Sequence, residues 1–230
     1  MIAIIVCSGV FFFSSQPPML DKVRHLVIEG PIGVGKTSLA KRMAEHLRAE
    51  TMLEVPEANP FLERFYRDSA RYAFSTQVFF LFQRIHQLRD LAQRDLFSDV
   101  FVADFLLEKD ALFASLTLAD DELHLYRQIY SNLAVQTTAP DLVIYLDASP
   151  SALLTRIAER GRPMEVSISE SYLAQLCEAY TRFFYQYEAA PLLTVNTEHL
   201  DPANNDADFK MLLDRVRQMR GRREFFNRAD

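Results

Sequence analysis

The sequence predicts an α/β fold in which a five-stranded parallel sheet is flanked by helices. Three observations carry that prediction. Short apolar runs at 24–29, 51–55, 100–104, 142–146 and 192–195 read as strands, and each is separated from the next by segments that read as helices. The stretch Gly30-Pro31-Ile32-Gly33-Val34-Gly35-Lys36-Thr37-Ser38 fits the pattern G-x-x-x-x-G-K-[ST] between the first run and a helical one. With 230 residues, 49% of them hydrophobic, the chain has enough apolar material for one well-buried core. No repeat, low-complexity segment or linker divides it, so 21–230 reads as one domain.

Residues 1–20 (MIAIIVCSGVFFFSSQPPML) are apolar through Phe13 and turn-like through Pro17-Pro18. No Lys or Arg precedes the apolar run, no convincing small-residue cleavage pattern follows it, and it is too short to span a bilayer as a helix. A poorly ordered extension is expected, with Met19 as the natural start running straight into the first strand. Residues 24–29 (RHLVIE) read as that strand, and 39–48 have the apolar spacing of a helix. Glycines between them let successive backbone N–H groups converge on phosphates, while the helix presents its positive end. Gly30, Gly33, Val34, Gly35 and Ser38 are thus candidates for triphosphate contact. Lys36 would bridge the outer phosphates and Thr37 would hold Mg²⁺.

The second strand, 51–55, brings Glu54 to its carboxyl end, where open α/β sheets place their ligands; Glu54 is therefore a candidate general base. Glu57 and Asn59 beyond it fit helix capping as well as function. Residues 72–91 read as a long helix apolar on nearly every side, which predicts burial. Within it Gln77 and Arg84 stand seven residues apart and project from one face, serving either an internal hydrogen-bond network or a nucleobase edge. His86 beside them reads as solvated or satisfied in the core.

The third strand, 100–104, ends in Asp104, which fits a carboxylate in a Mg²⁺ shell or a helix N-cap, and Asp110 follows on the next helix. Residues 142–146 and 192–195 supply the fourth and fifth strands. Arg156, Arg160 and Arg162 cluster at a helix end marked by Gly161 and Pro163. They read either as solvated complement to the helix dipole or as a lid that brings guanidinium groups over a γ-phosphate and excludes water. Residues 206–220 read as a surface helix.

A balance of 25 basic against 31 acidic residues, net charge −6, argues against a nucleic-acid partner held on a broad phosphate-binding surface. Any nucleotide here is a small molecule. Cys7 and Cys177 lie far apart with no metal-ligand spacing, and a reducing cytoplasm fits them.

Taken in order, GPIGVGKTS, EVPEANPFLERFY, RYAFSTQVFFLFQR, VFVADFLLEKD and RIAERGRPME make the chain resemble the deoxynucleoside kinase family, especially its bacterial deoxyadenosine and deoxyguanosine kinase branch, from about residue 24 to 196. The resemblance implies a P-loop kinase with an arginine-rich lid, commonly a homodimer. It implies phosphorylation of the 5′-hydroxyl of a purine deoxynucleoside or deoxycytidine by ATP with Mg²⁺, without nucleic-acid or membrane partners. By the same resemblance Glu54 is the base, with Glu57 as fallback. Tyr66 and Glu165 hold the sugar 3′-hydroxyl, and Gln77, Arg84 and Asp110 read the nucleobase. Asp104 attends the metal, and Arg156, Arg160 and Arg162 are the lid arginines.

One position departs: the family usually has Arg directly after the Mg²⁺-associated acid, and this chain has Phe105. Lys109, four residues on, shares a face with Phe105 if that segment is helical, and is the candidate to restore the cation. Two alternatives stand beside this reading. A nucleoside monophosphate kinase needs basic residues for the acceptor's phosphate, and a nucleotide-binding module with impaired catalysis would explain Phe105.

Overall fold

Strands that are apolar on both faces are satisfied only between two layers of helices. The computed structural model describes residues 19–92, 100–133 and 139–228. Its strands are β1 (His25–Glu29), β2 (Glu50–Met52), β3 (Phe101–Ala103), β4 (Leu142–Asp147), β5 (Leu192–Asn196) and β6 (Arg223–Phe226). They form one parallel sheet in the order β2-β3-β1-β4-β5-β6. Leu26 pairs with Val102 on one side and Leu142 on the other, and both central strands are sealed from solvent.

The helices are α1 (Met19–Lys22), α2 (Lys36–Leu47), α3 (Leu62–Arg67), α4 (Ser69–Ala92), α5 (Lys109–Thr117), α6 (Asp120–Leu133), α7 (Pro150–Arg160), α8 (Glu170–Gln186) and α9 (Asp206–Gln218). Their ends follow local rules. Ser149 and Ser169 cap α7 and α8 through their hydroxyls, Asn205 caps α9, and Gly161 closes α7 at φ 64°.

The structure corrects three sequence expectations. The described sheet has six strands, not five: β6 pairs with β5 at the edge, held by Glu224, which accepts from the backbone N–H of Arg220 and Gly221. Exposure alternates along it, Arg223 and Phe225 outward and Glu224 and Phe226 half-buried, as suits an edge strand with one half-covered face. Met19 and Leu20 do not run straight into β1 or belong to a loose extension; α1 packs against α9 and Leu20 is buried. The expectation for residues 1–18 lies outside the described residues, as does Cys7. The α4 helix is not buried all round: Ala73, Gln77, Leu81, Arg84 and Ile85 face inward, whereas Phe82 is 51% exposed. The α9 helix is the expected surface helix, burying the stripe Phe209, Leu212, Leu213 and Val216 while its opposite face is exposed. His86 is exposed, as one of its readings held.

The phosphate-loop glycines are required by contact as well as by backbone. A Cβ on Gly30, whose φ is 151°, would lie 2.4 Å from the Leu146 carbonyl oxygen. Gly35, at φ 100°, is the N-cap of α2 and caps it with no side chain, leaving its first N–H groups free for an anion.

Ile144, fully buried in the middle of β4, tests the core: Ile144→Ala is expected to lower the unfolding free energy by about 2–5 kcal/mol in urea denaturation followed by circular dichroism.

Candidate active site

Three strand ends converge on the phosphate loop. Glu29 closes β1, Glu54 lies two residues beyond β2, and Asp104 directly follows β3. Asp104 is no helix cap. Its Oδ1 accepts from Glu54 N at 2.8 Å and its Oδ2 from Thr37 Oγ1 at 2.5 Å, tying the second strand's end to the start of α2. Burial and the nearby Glu54 charge raise the Asp104 carboxyl above its usual range, with the Thr37 hydrogen bond opposing. A hydroxyl beside a single carboxylate is a hard-oxygen donor set. Among the described residues no group of three or more His, Cys, Asp or Glu forms a metal cage. Thr37 and Asp104 therefore fit Mg²⁺ of the kind shared with phosphate oxygens.

Glu54 sits between two buried cations. Arg84 Nε donates to Glu54 Oε1 at 2.6 Å and its Nη2 pairs with the same oxygen, while Lys109 Nζ donates to Oε2 at 3.0 Å. Lys109 is 2% exposed and also lies 3.4 Å from Glu29 Oε2. Burial alone would raise the Glu54 carboxyl; the Arg84 and Lys109 charges outweigh it and hold the group down at about 2. Lys36, folded back to donate to the Pro31 carbonyl at 3.0 Å, is pushed down to about 8, first by burial and then by the Lys109 charge. The sequence-predicted pairing of Lys109 with the site is thus a short contact in the structure.

Glu29 was not anticipated. Fully buried, it accepts from Gly30 N at 2.9 Å, Tyr180 Oη at 3.0 Å and Leu106 N at 2.9 Å. The one sequence signal was an acid ending an otherwise apolar strand.

Two clefts meet at Gly33 and Arg160. The first, about 820 Å³, brings together Lys36, Thr37, Glu54, Asp104, Tyr66, Gln77, Arg84, Lys109, Arg160, Arg162 and Glu165. Its mixture of aromatic and polar walls suits a small ligand. Gln77 and Arg84 do share one wall, and both are buried. Asp110 is not part of that wall. It lies behind Arg84, fully buried and paired with Arg84 Nη1, while its Oδ2 has no hydrogen-bond partner among the described residues.

The second cleft, about 1010 Å³, is lined by Val34, Gly35, Ser38, Arg156 and the loop after β5. Arg156 parts company with the other two arginines of its cluster. Its Nη1 and Nη2 donate to Thr197 Oγ1 and O at 3.0 and 2.5 Å, on the second cleft only. Arg160 donates to Glu165 Oε2, at 3.1 Å from Nε, and Arg162 pairs with Glu57 at 3.0 Å. Glu57 stands at the rim, outside the cleft wall, whereas Glu54 lines it. Asn59 caps the turn before α3, accepting from Phe61 N. Tyr66 stands against Phe65 and Tyr172, and burial pushes its hydroxyl well above the usual tyrosine range.

Comparison with known proteins agrees with this geometry. A family model described as deoxynucleoside kinase matches residues 26–219. The deoxyguanosine kinase of Bacillus subtilis is 35% identical over 87% of this chain and 99% of the relative. The deoxyadenosine kinase of Lactobacillus acidophilus is 33% identical over 80% and 90%. Among solved structures, deoxyadenosine kinase from M. mycoides with bound dATP superposes with a TM-score of 0.72 at 26% identity, covering 84% of this chain and 98% of that one. A second structure of that enzyme, with products dCMP and a flexible dCDP bound, gives 0.71 at 25% identity over 85% and 100%. A loop that cradles phosphate, a clamped carboxylate beside it and a fold shared along nearly the whole length point the same way: this chain belongs to the deoxynucleoside kinase family.

Proposed function

We propose that the chain transfers the γ-phosphoryl group of ATP to the 5′-hydroxyl of a deoxynucleoside. The observation that carries this reading is the Glu54 carboxylate, which lines the first cleft together with Lys36 and Thr37. ATP occupies the second cleft, with its phosphates on Gly30, Gly33, Val34, Gly35, Lys36, Thr37 and Ser38. Arg156 and Arg160 flank that path. The nucleoside occupies the first cleft, its 3′-hydroxyl between Tyr66 and Glu165 and its base against Gln77, with Arg84 backed by Asp110. Thr37 and Asp104 would hold Mg²⁺, which would neutralise phosphate charge there.

The 5′-oxygen forms a bond to the γ-phosphorus as the bond to the leaving β-phosphate oxygen breaks, and the hydroxyl proton passes to Glu54. A carboxyl held at about 2 takes that proton late, once the attacking oxygen is acidified by its new bond. Lys36, Arg160 and Arg162 stabilise the charge that develops on the transferring group, and Lys109 supplies the cation absent at Phe105. A monophosphate acceptor finds less support, because Arg84 and Lys109 are already balanced by Glu54, Asp110 and Glu29. A cytoplasmic setting accords with the free, buried Cys177, and no helix among the described residues is long and apolar enough to cross a membrane. Homodimer formation is supported by Phe82 and Leu125, 51% and 47% exposed on the mutually packed α4 and α6.

Glu54→Gln is expected to lower kcat about 10²–10⁴-fold while deoxynucleoside still binds in calorimetry; near-normal kcat would refute the base assignment. Lys109→Met, checked for folding by circular dichroism, is expected to lower kcat about a hundredfold with ATP binding retained. For Lys36 the sign follows from linkage. The triphosphate favours the ammonium form, so the bound group titrates above its free value of about 8. ATP affinity is therefore complete below pH 8 and falls as pH rises through that value, by up to about tenfold per unit, with proton uptake on binding. Calorimetry between pH 7 and 9.5 in buffers of different ionisation enthalpy measures both.

A further inference from the structure

Thr117, the last residue of α5, belongs to no recognisable motif and does not line the cleft. Its hydroxyl proton is committed: Oγ1 donates to the Phe113 carbonyl at 2.7 Å. A hydroxyl has one proton, so this oxygen meets its other neighbour only as an acceptor. That neighbour is Gln77, whose Nε2 donates to it at 3.3 Å. With the carboxamide turned over, two oxygens would face each other with no proton between them unless the hydroxyl gave up its shorter bond to the Phe113 carbonyl, at a residue only 3% exposed. The amide is thereby held one way round. Its second N–H and its oxygen, which accepts no hydrogen bond among the described residues, are left for whatever enters the cleft that Gln77 lines.

Building on the deoxynucleoside reading, we propose that Thr117 is a positioning residue for nucleobase selection, fixing which edge of the Gln77 carboxamide donates and which accepts. A 6-aminopurine offers a donor at position 6 followed by an acceptor at N1; a 6-oxopurine offers the reverse. A carboxamide held in one orientation matches one order and opposes two like groups to the other. A freely rotating carboxamide serves both.

The test compares kcat/KM for 2′-deoxyadenosine and 2′-deoxyinosine, which differ only in the position-6 group and the N1 proton, in wild type, Thr117→Val and Thr117→Ser. The expected result is a wild-type ratio at least about tenfold from unity, a collapse toward unity by about tenfold in Thr117→Val, and a ratio restored in Thr117→Ser. A role confined to packing α5 would change stability and leave the ratio in place. The proposal is overturned by a wild-type ratio within about threefold of unity. It is also overturned by an unchanged ratio in Thr117→Val, or by equal loss in Thr117→Ser. Should the wild type phosphorylate no deoxynucleoside at all, the proposed function fails on its own. The ratio of dissociation constants for the same two nucleosides, measured by calorimetry on wild type and Thr117→Val, then decides the role of Thr117 by the same criteria.

Discussion

Charge balance in a water-poor interior is the constraint on which the site depends. Glu29, Glu54 and Asp110 are carboxylates drawn from β1, the segment after β2, and α5; Arg84 and Lys109 are the cations set between them. Removing one partner of such a set leaves an uncompensated buried charge, which costs about 3–5 kcal/mol. The helices that carry the cations cannot drift from the strand ends that carry the acids. A site poised before any ligand arrives is the consequence, with Glu54 ionised and its orientation set from both sides.

The parallel sheet makes this possible by ending three strands at one place. The β1 backbone turns immediately into the phosphate loop, and the approach of Gly30 to the Leu146 carbonyl brings that turn against the end of β4. Asp104 then links the loop's first helical hydroxyl to the backbone of Glu54. Donor phosphate and acceptor carboxylate are thus referenced to the same few backbone atoms. Positioning of that kind accounts for a large part of the acceleration available to phosphoryl transfer.

Much of this was legible in the chain because it obeys local rules. The phosphate loop is readable from glycine spacing, the strand-end acids from the run of apolar residues before them, and the shared face of Gln77 and Arg84 from helical geometry. Lys109 was singled out by its spacing from Phe105 on the condition that the segment is helical. Phe105 precedes α5, which begins at Lys109, so that condition fails although Lys109 reaches the site, and its contact with Glu29 was not legible. Glu29 escaped notice because a strand-terminal acid has no periodicity and its partners Leu106 and Tyr180 lie 77 and 151 residues away. The sixth strand escaped for a related reason: its pairing with β5 is long-range, and Arg223 and Glu224 look like a solvated tail until the edge is assembled. The apolar surface of α4 was read as burial because sequence cannot separate a core helix from one that keeps an exposed aromatic face.

The contact between Arg162 and Glu57 crosses the mouth of the acceptor cleft, joining the segment after β2 to the segment after α7. Both side chains are substantially exposed, at 36% and 50%. Solvent and salt screen such a pair so heavily that it holds about 0–1 kcal/mol. It therefore behaves as a latch rather than a lock: thermal motion opens it without help, and an arriving anion competes for its arginine on even terms. Traffic through the doorway is thereby left to diffusion, and on the proposed reading any selectivity resides deeper, where water is scarce and mismatched groups have no alternative partner.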